Sequence, residues 1–174
     1  LWRGPLARLI AFHAADQRVG QPGRTPQFAP LAFDVHFQEI LSSGACGGTL
    51  VLLAESVRRD PEQLLAAVSK LSIERLFMPY VALQMLAEAS TPAEPLALLD
   101  VVSAGEQLQL TPAIRRLFER LPSARLHNHY GPTDSPVVLV HELSRQVLPC
   151  AAIPPIGRPL APGALAVPHD PATA

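Results

Sequence analysis

Seven consecutive residues, Asn128-His129-Tyr130-Gly131-Pro132-Thr133-Asp134, set an amide, an aromatic ring, a hydroxyl and a carboxylate around a Gly-Pro turn. Such a group can hold the face of an adenine, a phosphate oxygen and a divalent cation. It also suits a polar turn that closes a strand, and the spacing alone does not choose. His127 and His129 alternate, so on a strand both imidazoles share a face. With no convincing third ligand nearby, no metal site is predicted there. Cys46 and Cys150 lack CxxC or zinc-ligand spacing and read as reduced thiols. The glycine-rich residues 44–49 precede an apolar run and read as a helix-to-strand turn. There is no GxSxG elbow, HExxH pair or GxxxxGK[ST] phosphate loop.

The elements that must position these residues follow from periodicity. Leu6, Leu9, Ile10 and His13 fall at helical spacing, with His13 read as a core-edge histidine. Glycines and prolines of residues 20–26 break that helix. A short strand is expected over residues 27–31 and a helix from Asp34, bearing Val35, Gln38, Ile40 and Leu41. Residues 49–53 form an apolar run expected to be a strand buried on both faces. Asp60-Pro61 and Thr111-Pro112 each supply a cap and a first-turn proline for a helix. Strands are expected at residues 75–78, 98–103, 124–127 and 137–140, with a helix through Met85 between the first two. Alternating strands and helices indicate an α/β fold with a mostly parallel sheet built from repeated βα units. Ligands in such sheets bind at the carboxyl ends of strands, where Asp34, Tyr80, Ala104-Gly105 and His129-Tyr130 would lie.

Composition narrows the classes. The 174 residues are 48% hydrophobic and 17% charged, which fits a folded domain with a real core. A net charge of −1 disfavours a nucleic-acid binder. No apolar run approaches the ~20 residues that span a bilayer, and no signal peptide is evident, so a soluble cytoplasmic protein is expected. Seven of the 19 prolines fall from Pro149 onward. The expected division is an α/β portion at residues 1–148 and an extended proline-rich segment or linker at residues 149–174.

Four stretches carry a family resemblance. Asn128 to Asp134 resembles the Asn-x-Tyr-Gly-Pro-Thr-Glu motif of nonribosomal peptide synthetase adenylation domains. Residues 28–40, with Phe33-Asp34, resemble the segment carrying that family's substrate-gripping aspartate. Ser103-Ala104-Gly105-Glu106-Gln107-Leu108 is similar to its Ala-Gly-Glu-x-Leu loop, and Pro155-Ile156-Gly157-Arg158-Pro159 to its Pro-Ile-Gly-x-Pro turn. The resemblance implies part of the N-terminal core of such a domain. It implies that Asp34 accepts the α-ammonium group of an amino acid, a charge-assisted contact. Tyr130 would stack on adenine and Thr133 would bond the α-phosphate. Gly105, Glu106, Asn128 and Gly131 would line the nucleotide pocket. Asp134 would help hold Mg²⁺, one methylene shorter than the family's glutamate.

Carried over position by position, the amino-acid pocket falls on Asp34, Val35, Gln38, Tyr80, Val102, Ala104, His129, Val137 and Val138. This set is compact and largely apolar, with no free charge for an acidic or basic side chain. It is similar to the pattern of proline-activating domains. The implied reaction is attack by the amino-acid carboxylate on the α-phosphorus of ATP, followed by transfer to the phosphopantetheine of a carrier protein. The partners implied are that carrier and neighbouring synthetase domains. The family's phosphate loop and C-terminal lid lysine have no match in the sequence, and Lys70 fits neither. The chain by itself is therefore expected to be weak or inactive. A truncated remnant serving as a scaffold is the alternative.

Overall fold

In the computed structural model, which describes residues 3–16, 19–131, 137–143 and 152–160, the chain opens with helix α1 (Arg3–Ala15). The helix forms where the apolar residues recur at helical spacing, and it buries Leu9 and His13. Strand β1 (Arg24–Gln27) follows, three residues ahead of the expected position. The amides of Phe28 and Ala29 are taken by the Glu39 carboxylate, which removes them from any strand ladder. Helix α2 (Val35–Ala45) begins at Asp34 as expected, and Gly47 turns the chain out of it at φ +67°.

Strand β2 (Thr49–Leu52) pairs parallel with β1 in a two-stranded sheet. The expectation of a strand buried on both faces is corrected here. Having one neighbouring strand, β2 sits at an edge, and Leu52 is 77% exposed. Helix α3 (Glu55–Arg59) was not foreseen, because five residues without apolar periodicity carry no helical signal. Helix α4 (Pro61–Lys70) starts where Asp60 accepts the Glu62 and Gln63 amides.

There follow β3 (Arg75–Met78), α5 (Tyr80–Ala89), β4 (Asp100–Ala104), α6 (Pro112–Arg120), β5 (Arg125–Tyr130), β6 (Leu139–Leu143) and β7 (Arg158–Pro159). They make a five-stranded sheet in the order β3-β4-β5-β6-β7. The first three strands are parallel and the last two pairings are antiparallel. Strand β5 runs three residues past its expected end, so Asn128, His129 and Tyr130 lie within it.

The register sorts side chains onto two faces. Phe77, Val102 and His127 stand side by side, as do Ala104 and His129, and with alternation all five share one face. α1 lies against that face, the His13 ring 5.9 Å from Phe77 and 5.7 Å from His129. On the other face Leu76, Met78, Val101 and Leu126 meet α4, α5 and α6 in the main apolar core. Burial of Ile114, Leu117 and Phe118 on α6 stabilises the fold by about 1.5–3 kcal/mol each. The result is a helix–sheet–helix layering with the strand ends left open for a site.

Candidate nucleotide and amino-acid site

At the carboxyl end of β4 the chain turns sharply at Gly105, whose φ of +91° suits glycine. The carboxyl end of β5 delivers Asn128, His129, Tyr130 and Gly131 beside it. These two ends bound a cavity of about 670 Å³, closed on a third side by residues 153–156. Tyr130 is 46% exposed, so its ring is free to meet a flat ligand. Nothing lies within 4 Å of where a Gly105 side chain would start, which leaves the backbone open to close approach. The Glu106 carboxylate accepts the Val81 amide at 3.2 Å, at the start of α5.

Three hydrogen bonds hold the third wall. Asn128 Nδ2 donates to the Pro155 carbonyl at 3.0 Å. The Leu110 amide donates to Ala152 at 2.7 Å and the Leu160 amide to Val138 at 2.9 Å. Gly157, at φ +94°, lies so close to β6 that an added Cβ would stand 1.9 Å from the Val140 carbonyl oxygen. Asn128 is thus both a cavity residue and the anchor of the wall opposite.

The amino-acid set is spread more widely. His129 lines the same cavity. Gln38 is buried and bonds His129 Nδ1 at 2.9 Å. Val102 and Ala104 are buried on the His129 face of β4. Asp34 is exposed at the N-cap of α2, where its side chain makes no cap bond, and Val35 is half-buried beside it. Tyr80, half-buried, starts α5 and packs on the main core. Val137 and Val138 are half-buried in the segment before β6, and the Val138 amide donates to the Tyr130 carbonyl at 2.9 Å. Thr133 and Asp134 lie outside the described residues. Among the described residues no group of three His, Cys, Asp or Glu side chains forms a metal site.

Two buried groups shape the site without a sequence motif to mark them. His13 Nε2 lies 2.7 Å from Gln38 Nε2, so Gln38 bridges two imidazoles. Burial, then the neighbouring His127 and Arg75, push His13 down to about 3. Burial holds His129 well below the usual histidine range as well. Glu39, fully buried, accepts the Phe28 amide at 2.8 Å and so pins the loop that leads to Asp34. Burial pushes its carboxyl up to about 8 against the opposing amides of Phe28 and Ala29. A polar residue on an apolar helical face was the one signal for His13.

An ion-pair cluster fastens the opposite end of the sheet. Arg125 reaches Asp100 at 2.8 Å, Asp16 at 2.9 Å and Glu142 at 3.1 Å, and His127 meets Asp100 at 2.9 Å. Burial would raise the Asp100 carboxyl, but the His127 and Arg125 bonds outweigh it and hold it low. The cluster ties the end of α1 to β4, β5 and β6, which fixes His13 over the sheet.

An α/β sheet whose parallel strand ends meet an aromatic-edged cavity has an opening where sheets of this kind bind ligands. The chain belongs to the AMP-binding enzyme family, which it matches over residues 6–173. It is 31% identical over 158 residues to tyrocidine synthase 2 of Brevibacillus parabrevis, covering 89% of this chain and 4% of that protein. It is 36% identical over 137 residues to phosphinothricin tripeptide synthetase PhsB of Streptomyces viridochromogenes, covering 78% and 11%. D-alanine–D-alanyl carrier protein ligase of Streptococcus pyogenes is 33% identical over 133 residues, covering 75% of this chain and 26% of the ligase. Among solved structures, the nonribosomal peptide synthetase FmoA3 superposes with a TM-score of 0.75 at 20% identity, covering 89% of this chain and 17% of that one. The Vibrio cholerae adenylation domain AlmE, in complex with glycyl-adenosine-5'-phosphate, gives 0.72 at 19% identity, covering 90% and 29%. The fold is that of part of an adenylation domain, and the chain spans a small share of the relatives it matches. Among the described residues no helix is long and apolar enough to cross a membrane.

Proposed function

We propose that this chain is the ligand-binding segment of an amino-acid adenylation domain, joining an amino acid to ATP as an aminoacyl adenylate for peptide assembly. The observation that carries the reading is the cavity shared by Gly105, Asn128, Tyr130 and His129 at the strand ends. An exposed aromatic ring and an open glycine backbone fit an adenine and its ribose phosphate. In this reading Tyr130 stacks on the base, and Gly105, Glu106, Asn128 and Gly131 shape the nucleotide wall. Thr133 meets the α-phosphate and Asp134 supplies a carboxylate for Mg²⁺, whose role is to neutralise phosphate charge.

The amino acid lies toward Gln38, Val102, Ala104 and His129, with Asp34 taking its ammonium group and Val35, Tyr80, Val137 and Val138 completing the pocket. The carboxylate is already a nucleophile, so the segment contributes positioning and exclusion of water rather than proton transfer. Two neutral buried imidazoles and flanking valines favour a small uncharged substrate, L-proline first. The acceptor of the acyl group is a phosphopantetheinyl carrier protein, with other synthetase domains as neighbours.

The test is amino-acid-dependent pyrophosphate–ATP exchange on the longest native polypeptide that carries this chain. Exchange with proline above other common amino acids is the expected result. Exchange with a different amino acid would overturn the proline assignment alone. A folded polypeptide that exchanges with none would refute catalysis and leave the scaffold.

A further inference from the structure

We propose that His13, which lies outside the amino-acid set, is a specificity-determining positioning residue that acts through Gln38 to fix the tautomer of His129. The inference rests on the adenylation reading for its consequence and on hydrogen-bond bookkeeping for its cause. Gln38 Nε2 carries two protons and accepts none. It lies 2.7 Å from His13 Nε2 and 2.9 Å from His129 Nδ1. With the Gln38 amide oriented as in this structure, both ring nitrogens are bare acceptors, and an imidazolium, which has none, fits neither position.

Each neutral ring then keeps its proton on the other nitrogen. Those atoms, His13 Nδ1 and His129 Nε2, are buried and have no hydrogen-bond partner among the described residues. His13 is held in place by edge-on contacts with Phe12 and Phe77, at 5.8 and 5.9 Å. It occupies one amide proton of Gln38 and directs the other to His129. In the proposed amino-acid pocket, on the α1-covered face, the His129 ring then carries a donor, Nε2–H, and no acceptor. A site edged by a fixed donor discriminates against substrates whose side chains end in donors or cations, because both partners would be left buried and unpaired.

Without His13 one Gln38 proton is orphaned, the amide turns, and His129 is free to take the other tautomer. His13→Phe keeps the aromatic packing and removes the acceptor, whereas His13→Gln places an amide oxygen near the lost Nε2. The first readout is the tautomer of His129, from imidazole nitrogen shifts of the histidine-labelled native polypeptide. The Nε2–H form is expected in the parent, a mixture in His13→Phe, and recovery in His13→Gln. The second readout is exchange kinetics. His13→Phe is expected to raise the amino-acid KM about tenfold with the ATP KM unchanged. It should also lower the preference for proline over lysine by a similar factor, and His13→Gln should restore both.

An unchanged His129 tautomer in His13→Phe would overturn the proposal, as would an unchanged amino-acid KM or a His13→Gln variant no better than His13→Phe. If the parent exchanges with no amino acid, the adenylation reading has failed, and the tautomer measurement decides the His13 coupling by itself.

Discussion

Replacing Gly157 by alanine tests whether residues 152–160 are a wall of the nucleotide cavity. The added Cβ would stand 1.9 Å from the Val140 carbonyl oxygen and 2.6 Å from the His141 nitrogen, both backbone atoms of β6 that cannot swing aside. The φ of +94° is a further penalty for any L side chain. The cheapest relief is for the segment to leave β6. Asn128, 5% exposed, would then lose its Pro155 acceptor, at about 1–3 kcal/mol for a buried amide left unpaired. The Leu160-to-Val138 bond and the β6–β7 pairing would go with it, at about 1 kcal/mol for each bond. Together these bonds hold the wall docked by about 3–5 kcal/mol, and a Cβ with no room beside β6 forfeits them. The assay is exchange kinetics with ATP varied, beside hydrogen exchange of the Leu110 and Leu160 amides. The expected outcome is an ATP KM raised about tenfold or more and faster exchange at both amides, with a lowered melting temperature. An unchanged ATP KM in a variant whose amides exchange faster would refute the wall as part of the site.

Other outcomes follow from the same geometry. Tyr130→Ala removes a ring 46% exposed, so thermal stability should stay within about 0.5 kcal/mol. Its ATP KM should rise by the ~1–3 kcal/mol of a lost base stack. Phe118→Ala empties a fully buried site on α6 and should cost about 3–5 kcal/mol in denaturant unfolding. The His13 ring falls from 6.5 to about 3 on folding, so its stabilisation is complete above pH 6.5 and lost as pH drops toward 3. Between pH 7 and pH 5 the parent should lose about 2 kcal/mol more than His13→Phe. Glu39 moves the other way, from 4.5 to about 8. Its contribution is complete below pH 4.5 and lost on the way up to 8, so Glu39→Gln should flatten the alkaline side of the stability profile.

Much of the sheet was legible because its signals are local. The caps Asp60-Pro61 and Thr111-Pro112 mark helices that do begin there, and the buried strands β3 and β4 carry apolar runs that announce them. What could not be read depends on partners distant in sequence. Strand β2 has the composition of a central strand, yet it is an edge because of which strands flank it. β1 ends early because Glu39, eleven residues past Phe28, takes that residue's amide. The bridge from His13 through Gln38 to His129 spans 116 residues from end to end (129 − 13), and no periodicity encodes it.

The two faces of the sheet therefore carry different obligations. Toward α4, α5 and α6 the strands offer Leu76, Val101 and Leu126, and these pack into the main apolar core. Toward α1 they offer His127 and His129, with Phe77 and Val102 between. A core built for stability alone has no use for the His13 and His129 imidazoles and the Gln38 amide in place of aliphatic side chains, since each buried polar atom must find a partner. Ring nitrogens His13 Nδ1 and His129 Nε2 have none among the described residues. That deficit lies on the α1-covered face, beside the residues of the proposed amino-acid pocket. A ligand that supplied an acceptor there would be bound by a donor the fold has already desolvated.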